Sequence, residues 1–257
     1  MSSTLPFETY LDAIVESTAR LREDSAQSGL SATVPTCPQW NVSHLLAHQG
    51  MVHRWATHAL SVAATGTDTD FDREEVERAG LTADDTCAWL QEGSDRLVDR
   101  LRATPSDAKV PFFMDSPLPD RDSWARRQSH ETTIHSVDAL GARLGYQPGE
   151  GDVDVEPTFA VDGVDELLCS YLPRPKFDMR SSAPVTVAVH TTDTGHAWAL
   201  SFSEEAPVVV RDRTVDNPDA VVSGTAVGLY LTLWNRGTHT SYEGRDVLAL
   251  WRDRMKA

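Results

Sequence analysis

Glu131 and His135 are four residues apart in the segment RRQSHETTIHSVDA, residues 126–139. On an α-helix this spacing puts both side chains on one face, one turn apart. A carboxylate oxygen and an imidazole nitrogen side by side form a chelating pair that zinc and similar divalent metals accept. His130 and His135 are five residues apart, so the segment is not the HExxH motif of zinc proteases. The pair predicted to bind metal is therefore Glu131 and His135.

A third ligand has to come from another helix. The segment NVSHLLAHQGMVHRW and the residues after it carry four histidines, which are His44, His48, His53 and His58. The first two lie on a helix face that continues with apolar residues, where a histidine is often a hydrogen-bonded core residue. The residue pattern alone leaves this interpretation open beside metal binding. His53 and His58 are predicted to lie on the surface or behind the ligands.

Four helices are predicted to position these residues. Apolar spacing and helix-stop residues place them at about residues 6–28, 42–64, 83–103 and 122–144. Asn41 is a good N-cap for the second helix, and Thr82 is predicted to cap the third, with Asp85 at the capping-box position. A long loop rich in Pro and Asp separates the last two. Such helices suggest a bundle whose interior can hold a site.

The chain changes character at residues 145–157, where Gly, Pro and acidic residues predict a linker. Beyond it, a helix near 160–171 is followed by alternating segments that predict half-buried antiparallel strands. The strands are expected at 184–191, 195–202, 206–211 and 219–223, and closing helices at 224–235 and 244–256. The predicted fold class is α plus α+β. A metal-binding four-helix bundle would span residues 1–148, and an α+β domain with an antiparallel sheet residues 156–257.

Composition narrows the function classes. The net charge is −16, which argues against binding nucleic acid or an anionic membrane surface, because both need clustered Lys and Arg. Three widely spaced cysteines, Cys37, Cys87 and Cys169, form neither a disulfide framework nor a paired CxxC zinc site. The sequence shows no secretory signal and no apolar run of about 18 residues. A cytoplasmic location is therefore expected.

Two segments together resemble the actinobacterial mycothiol-dependent maleylpyruvate isomerase family, part of the wider DinB-like metal-binding bundles. They are PTCPQWNVSHLLAHQGMVHRW, residues 35–55, and RRQSHETTIHSVDA. The matching positions are Pro35, Cys37, Pro38, Trp40, Leu45 and His48 in the first segment, and Arg127, His130, Glu131, His135, Asp138 and Ala139 in the second. The resemblance covers the whole chain, since GTAVGLYLTLWNRG, residues 224–237, is similar to part of the family's sterol-carrier-like C-terminal domain.

The resemblance implies a ligand set and a chemistry. His48, Glu131 and His135 would hold zinc or another divalent metal, and mycothiol would be the thiol cofactor or co-substrate. A metal-held thiolate would add to a small electrophilic substrate, a carboxylate-bearing one included, for cis–trans isomerisation or S-transfer. Ser136 stands where the family usually has Arg, and Ser43 and His44 precede the leucine where an acidic residue is common. The substrate can therefore differ from that of the type enzyme.

Further residues receive predicted roles from the same resemblance and from their chemistry. Arg236 is the candidate catalytic residue that binds an anionic group of the substrate. Arg127 is expected to orient Glu131 or a loop carboxylate, and Asp138 either fixes the second ring nitrogen of His135 or makes a structural contact. Trp40 is expected to pack at the entry to the second helix. Trp40 and His44 are also candidates to support the ligands or to contact thiol and substrate. Cys37 is expected to be a packed loop thiol. The protein is expected to be a monomer or a homodimer.

Two other function classes stay open at this stage. One is a hydrolase on the same scaffold that uses metal-bound water, which would be active without added thiol. The other is a non-catalytic protein that binds metal, thiol or an apolar ligand, which would bind tightly without turnover. A shared fold does not decide among these functions.

Overall fold

The computed structural model describes residues 4–66 and 70–255. Residues 6–147 form one compact unit, and residues 148–255 form a second, which also includes residues 4–5. The first unit is helical, and the second combines a small sheet with helices. This arrangement confirms the predicted fold class. No helix in the described ranges has the length and apolar character needed to cross a membrane.

Five helices are described in the first unit: α1 (Phe7–Ser28), α2 (Val42–Thr65), α3 (Arg73–Leu81), α4 (Thr86–Ala103) and α5 (Asp120–Leu144). The four long helices form the predicted bundle. Helix α1 packs mainly on α5, and α2 packs on α4, α5 and the short α3. The sequence did not predict α3, because its residues are mostly charged and carry no helical apolar pattern.

The helix ends follow from capping chemistry. Asn41 caps α2 as predicted, and His44 completes a capping box with it. The predicted cap of α4 was wrong: Asp85, not Thr82, accepts the hydrogen bond from the Ala88 backbone N–H. A carboxylate is the better partner for the positive end of the helix dipole. Helix α5 begins directly after Pro119 and ends at Gly145, which adopts a left-handed conformation.

Helix α5 lies in the middle of the first unit. Most of its residues between Ser123 and Gly141 are buried, the polar ones included. Such a helix shows little apolar periodicity, because its neighbours cover it on several sides. The Ser17 and Thr133 hydroxyls are 2.9 Å apart and hydrogen-bonded, which joins α1 to α5 inside the unit.

The second unit begins with α6 (Pro157–Glu166), which continues as one π-helical turn, Leu167–Tyr171, and is followed by a short 3-10 turn, Pro175–Phe177. Five strands follow, interrupted by α7 (Ala226–Leu233), and α8 (Val247–Arg254) is the last described helix. The strands are β1 (Val185–Thr191), β2 (Ala197–Phe202), β3 (Val208–Arg211), β4 (Ala220–Gly224) and β5 (Ser241–Gly244).

The sheet is mixed. Its strand order is β3-β2-β1-β4-β5, and the neighbours are antiparallel except for β1 and β4, which run parallel. The prediction of a wholly antiparallel sheet was wrong for this pair, because alternation within a strand does not reveal the direction of its neighbour. Strand β5 was not predicted, since all four of its residues are exposed. On β1, Val185, Val187 and Val189 alternate with less buried residues and form part of the core face.

Candidate metal centre

His48 on α2 comes together with Glu131 and His135 on α5. One ligand atom from each of the three residues lies within 4.8 Å of the others. The Glu131 Oε1 atom is 3.4 Å from His135 Nε2 and 3.8 Å from His48 Nε2. Neighbouring ligand atoms of a tetrahedral zinc site, with bonds of about 2.0–2.1 Å, are about 3.3 Å apart. The three atoms are therefore close to the spacing that a divalent metal needs.

The second polar atom of each ligand on α5 is already occupied. Asp138 Oδ2 lies 2.9 Å from His135 Nδ1, and Arg127 Nη2 donates to Glu131 Oε2 at 2.8 Å. Asp138 is itself held by the Thr36 hydroxyl, which donates to its Oδ1 at 2.5 Å. With Nδ1–H of His135 donating to Asp138, the lone pair of the ring is on Nε2. The remaining atoms, His135 Nε2 and Glu131 Oε1, face the space that they share with His48 Nε2.

Two side chains lie beside His48. Its ring centroid is 4.8 Å from that of Trp40, and its Nδ1 lies 3.9 Å from Glu77 Oε1. Glu77 was not predicted at the site, because α3 itself was not predicted. One signal was available in the sequence: Asp72 and Glu75 have the spacing of a capping box, and Asp72 accepts from the Glu75 backbone N–H. An α-helix beginning at Asp72 would have brought Glu77 into consideration.

The site holds its glutamate as an anion. Burial raises the pKa of Glu131, but the imidazoles of His135 and His48 and the Arg127 guanidinium outweigh it. They hold this pKa well below its ordinary value. Burial lowers the pKa of His135, whereas Asp138 and Glu131 raise it, and the net direction is upward. A cluster of one anion and two imidazoles matches the charge and donor set that a divalent cation prefers.

Beneath the ligands lies a fully buried polar layer. His53 is 0 % exposed, and its Nε2 is 2.8 Å from Gln49 Nε2 and 3.0 Å from Thr132 Oγ1. Burial, and secondarily Arg54, lowers the pKa of His53 from 6.5 to about 3, so the ring is neutral. His53 therefore lies in the interior and not on the surface. His58 is half-buried, with its ring 5.2 Å from that of Phe71.

Two further predicted residues lie on the first unit. The indole of Trp40 is near both imidazoles, 4.8 Å from the His48 ring and 6.0 Å from the His135 ring by centroid. It therefore forms an apolar wall beside the ligand atoms. His44 makes a hydrogen bond at the start of α2, where its Nδ1 lies 2.6 Å from Asn41 Oδ1. The structure thus gives His44 a capping contact.

Arg236 belongs to the second unit, where it is 7 % exposed and its Nη1 donates to the Trp234 carbonyl at 2.7 Å. Its substrate-binding role stays a prediction. Ser136, the departure from the family pattern, is buried and donates to the Thr133 carbonyl of its own helix at 2.7 Å. Cys37 packs partly buried against the core of the first unit, as expected for a loop thiol.

Comparison with known proteins identifies the family. The sequence-family model of the mycothiol maleylpyruvate isomerase (MDMPI) N-terminal domain matches residues 11–140. The family model of the MDMPI C-terminal domain matches residues 158–252. A crystal structure of the mycothiol-dependent maleylpyruvate isomerase is similar over 93 % of both chains, at 18 % identity and a TM-score of 0.66. A structure of a histidine-to-alanine mutant of that enzyme matches over 93 % of both chains, at 17 % identity and a TM-score of 0.65.

None of the curated proteins compared with the chain matches it. At these identities the solved structures support the fold alone. The two domain models together span most of both structural units, so the assignment rests on the sequence itself. The chain belongs to the mycothiol-dependent maleylpyruvate isomerase family.

Proposed function

We propose that this protein is a metal-dependent enzyme that uses mycothiol as a thiol cofactor or co-substrate. Its substrate is a small electrophile, which undergoes cis–trans isomerisation or S-transfer. The observation that carries the proposal is the convergence of His48 Nε2, Glu131 Oε1 and His135 Nε2. Family membership supports mycothiol as the thiol.

The residues present fit a divalent metal such as zinc. His48, Glu131 and His135 would hold it, and three protein ligands leave one position open, as in catalytic zinc sites. When bound, the metal supplies positive charge that lowers the pKa of a thiol at that position.

The chain's own residues prepare the site for this chemistry. Asp138 keeps the His135 tautomer that offers Nε2, and Arg127 holds the outer oxygen of Glu131 so that the inner one faces the ligand point. The Trp40 indole gives the site an apolar wall, and such a wall strengthens electrostatic interactions by excluding water. Because Glu131 is a ligand in this arrangement, it does not serve as a general base.

Two outcomes follow from one nucleophile. A thiol that adds to a conjugated double bond allows rotation about the resulting single bond, and its departure completes an isomerisation. If the carbon–sulfur bond stays, or another group leaves, the outcome is S-transfer. The geometry and leaving group of the substrate decide between them.

The proposal also assigns Arg236 to an anionic group of the substrate, because guanidinium pairs with carboxylates in a bidentate manner. Arg236→Gln is expected to raise KM for a carboxylate-bearing electrophile by about tenfold or more. KM for its methyl ester should change little. If Arg236→Gln raised KM equally for the acid and the ester, Arg236 would not be the residue that binds the carboxylate.

The decisive experiment is calorimetric titration of the zinc-loaded protein with mycothiol, in two buffers of different ionisation enthalpy. The expected result is binding with proton release. S-Methyl mycothiol, which cannot form a thiolate, should not release protons, and His48→Ala should lose both metal and thiol binding. His58→Ala is the matched control, since His58 lies on the same helix outside the cluster, and it should behave like the parent.

A loaded protein that binds no mycothiol would contradict the thiol proposal. Hydrolysis by metal-bound water would then be tested with ester and amide substrates in the absence of thiol. Ligand binding without turnover of any electrophile would instead favour a non-catalytic binding protein.

A further inference from the structure

A cavity of about 440 Å³ lies inside the second unit, lined by the sheet on one side and by α8 on another. Its walls are largely apolar, with contributions from Val187, Val189, Leu200, Val222, Leu248 and Trp251. Protein interiors are packed about as densely as organic crystals, and voids much larger than a water molecule are few. The volume instead falls in the range of about 300–1,000 Å³ typical of small-molecule sites.

The same cavity has a basic side. Arg180, Arg245 and Arg254 line it together with the hydroxyl-bearing Ser181 and Ser182. Arg180 and Arg245 are exposed and Arg254 is half-buried, so the basic residues mark the end that opens to solvent. The chain as a whole has 39 acidic and only 23 basic residues. Three guanidinium groups around one opening therefore run against the general charge of the protein.

Acidic residues offset this charge only in part. Asp246 also lines the cavity. Asp178 lies nearby, with one oxygen 3.9 Å from Arg180 Nε and the other 3.9 Å from Arg254 Nη1. These carboxylate separations exceed hydrogen-bond length. One N–H of each guanidinium is bonded to a backbone oxygen instead, Arg180 Nη1 to the Glu204 carbonyl and Arg254 Nη1 to the Asp178 carbonyl. The opening therefore has three cationic groups, Arg245 included, against two carboxylates.

We propose that the second unit binds a single-chain amphiphile. The hydrocarbon chain fills the apolar cavity, and an anionic head, carboxylate or phosphate, pairs with Arg180, Arg245 and Arg254. Burial of the chain provides a hydrophobic driving force, and guanidinium binds both head groups in a bidentate manner. This site lies wholly within the second unit and does not rest on the metal-site proposal.

The test is direct binding of four ten-carbon probes to the full chain, below their micelle concentrations, by calorimetry. Decanoate and decyl phosphate should bind about tenfold more tightly than decanol, because a charged hydrogen bond adds roughly that factor. Decyltrimethylammonium should bind no better than decanol. The comparison of decanoate with decyl phosphate identifies the preferred head group. All titrations are repeated in the metal-free His48→Ala variant, where binding should persist, since a carboxylate can also bind a metal.

Matched variants locate the binding. Val222→Phe places a ring in the cavity and should weaken every probe by about tenfold, which corresponds to lost apolar burial. Val221→Phe, the neighbouring residue on the other face of β4, should leave binding unchanged. Arg245→Gln should weaken the two anionic probes alone, whereas Arg252→Gln on α8, outside the cavity lining, should not. Leu250→Trp narrows the opening at an exposed position and replaces Val222→Phe if that variant does not fold.

Several results would overturn the proposal. Absence of binding in His48→Ala would assign the probes to the metal site. If Val221→Phe and Val222→Phe weakened binding equally, the cavity would be excluded as the binding site. Equal affinities for decanol and the two anions would show that the arginines do not bind the head group.

Discussion

Thr36, Asp138 and His135 form a chain of hydrogen bonds, and the other ring nitrogen of His135, Nε2, faces the candidate metal centre. Glu131 is held in the same way by Arg127. Groups that hold metal ligands from behind fix ring orientation and tautomer, and their loss typically lowers metal affinity by about 10–100-fold. At the scale of single residues, we expect metal binding at the candidate centre to depend on these groups as well as on His48, Glu131 and His135.

Asp138→Asn is expected to lower zinc affinity by about tenfold or more. The substitution keeps the shape of the side chain but removes the charge that favours Nδ1–H on His135. Affinity is measured by competition with a chromophoric chelator. Asp24→Asn is the control, because Asp24 pairs with Arg143 elsewhere in the bundle. Unchanged affinity in Asp138→Asn would show that Asp138 makes only a structural contact.

His53 predicts an acid dependence of stability in the metal-free protein. Burial lowers its pKa from the ordinary 6.5, which the unfolded chain retains, to about 3 in the folded protein. The unfolded chain therefore binds more protons between these values, and stability falls as pH falls through this window. Between pH 7 and pH 5 this contribution amounts to about 2 kcal/mol. Between pH 7 and pH 5, the free energy of unfolding of His53→Gln should therefore fall by about 2 kcal/mol less than that of the parent.

The measurement is urea unfolding with chelator present, at several pH values. Above pH 7.5 the free energies of unfolding of the parent and His53→Gln should change with pH in the same way. His53 takes up almost no proton there in either the folded or the unfolded chain. Parallel curves down to pH 5 would contradict a neutral, buried His53.

Sequence reasoning predicted that His48, Glu131 and His135 come together, because helix periodicity brings Glu131 and His135 to one face and a family motif points to His48. The contact of Asp138 with His135 was one of two open alternatives, since a spacing of three permits contact without requiring it. Glu77 could not be found by periodicity, because it reaches His48 from a different helix. Such contacts depend on how helices pack, which a single helix pattern does not encode.

At the scale of elements, one indole joins three helices. Trp89 of α4 lies against Gly50 of α2 and Gly80 of α3, and the Arg54 guanidinium stacks on its ring at 3.7 Å. A methyl group at Gly50 would overlap the ring, and one at Gly80 would lie 2.6 Å from it. The two glycines therefore provide the space in which α2, α3 and α4 meet.

Gly50→Ala is expected to destabilise the protein by about 1–3 kcal/mol through overpacking. Alanine is otherwise the better helix former by about 1 kcal/mol, so helix propensity alone gives the opposite sign. Urea unfolding measures the difference. In a Trp89→Leu background the same substitution should cost clearly less. An equal cost in both backgrounds would rule out the indole as the cause.

The elements that the sequence missed share a physical cause. Helix α3 and strand β5 are mostly exposed, so burial leaves little apolar pattern in them. The parallel pairing of β1 with β4 is a matter of topology, because a buried strand shows the same alternation beside either kind of neighbour. Long, half-buried elements such as α1, α2 and β1 were predictable within a few residues.

At the scale of the whole molecule, the chain carries two compact units and a candidate ligand site within each of them. A ligand that binds only the folded state stabilises it by about 2.7 kcal/mol at a hundred times its dissociation constant. The two proposed ligands should therefore protect different parts of the same chain.

Hydrogen exchange of the full chain tests this expectation. Zinc should slow exchange mainly in α2 and α5, and decanoate mainly in β1, β4 and α8. His48→Ala should remove the zinc effect alone, and Val222→Phe the decanoate effect alone. Protection by zinc spread evenly over both units would contradict the assignment of the metal to the bundle.

The position of Trp40 has an optical consequence. Its indole is 4.8 Å from the His48 ring and 6.0 Å from the His135 ring. Emission from an indole this close to imidazoles responds to their charge and to a paramagnetic ion bound between them. The chain has seven tryptophans, so one emitter in seven stands beside the ligands. The candidate centre thus has a fluorophore beside it, and we expect cobalt or copper loading to quench the Trp40 part of the emission in unlabelled protein.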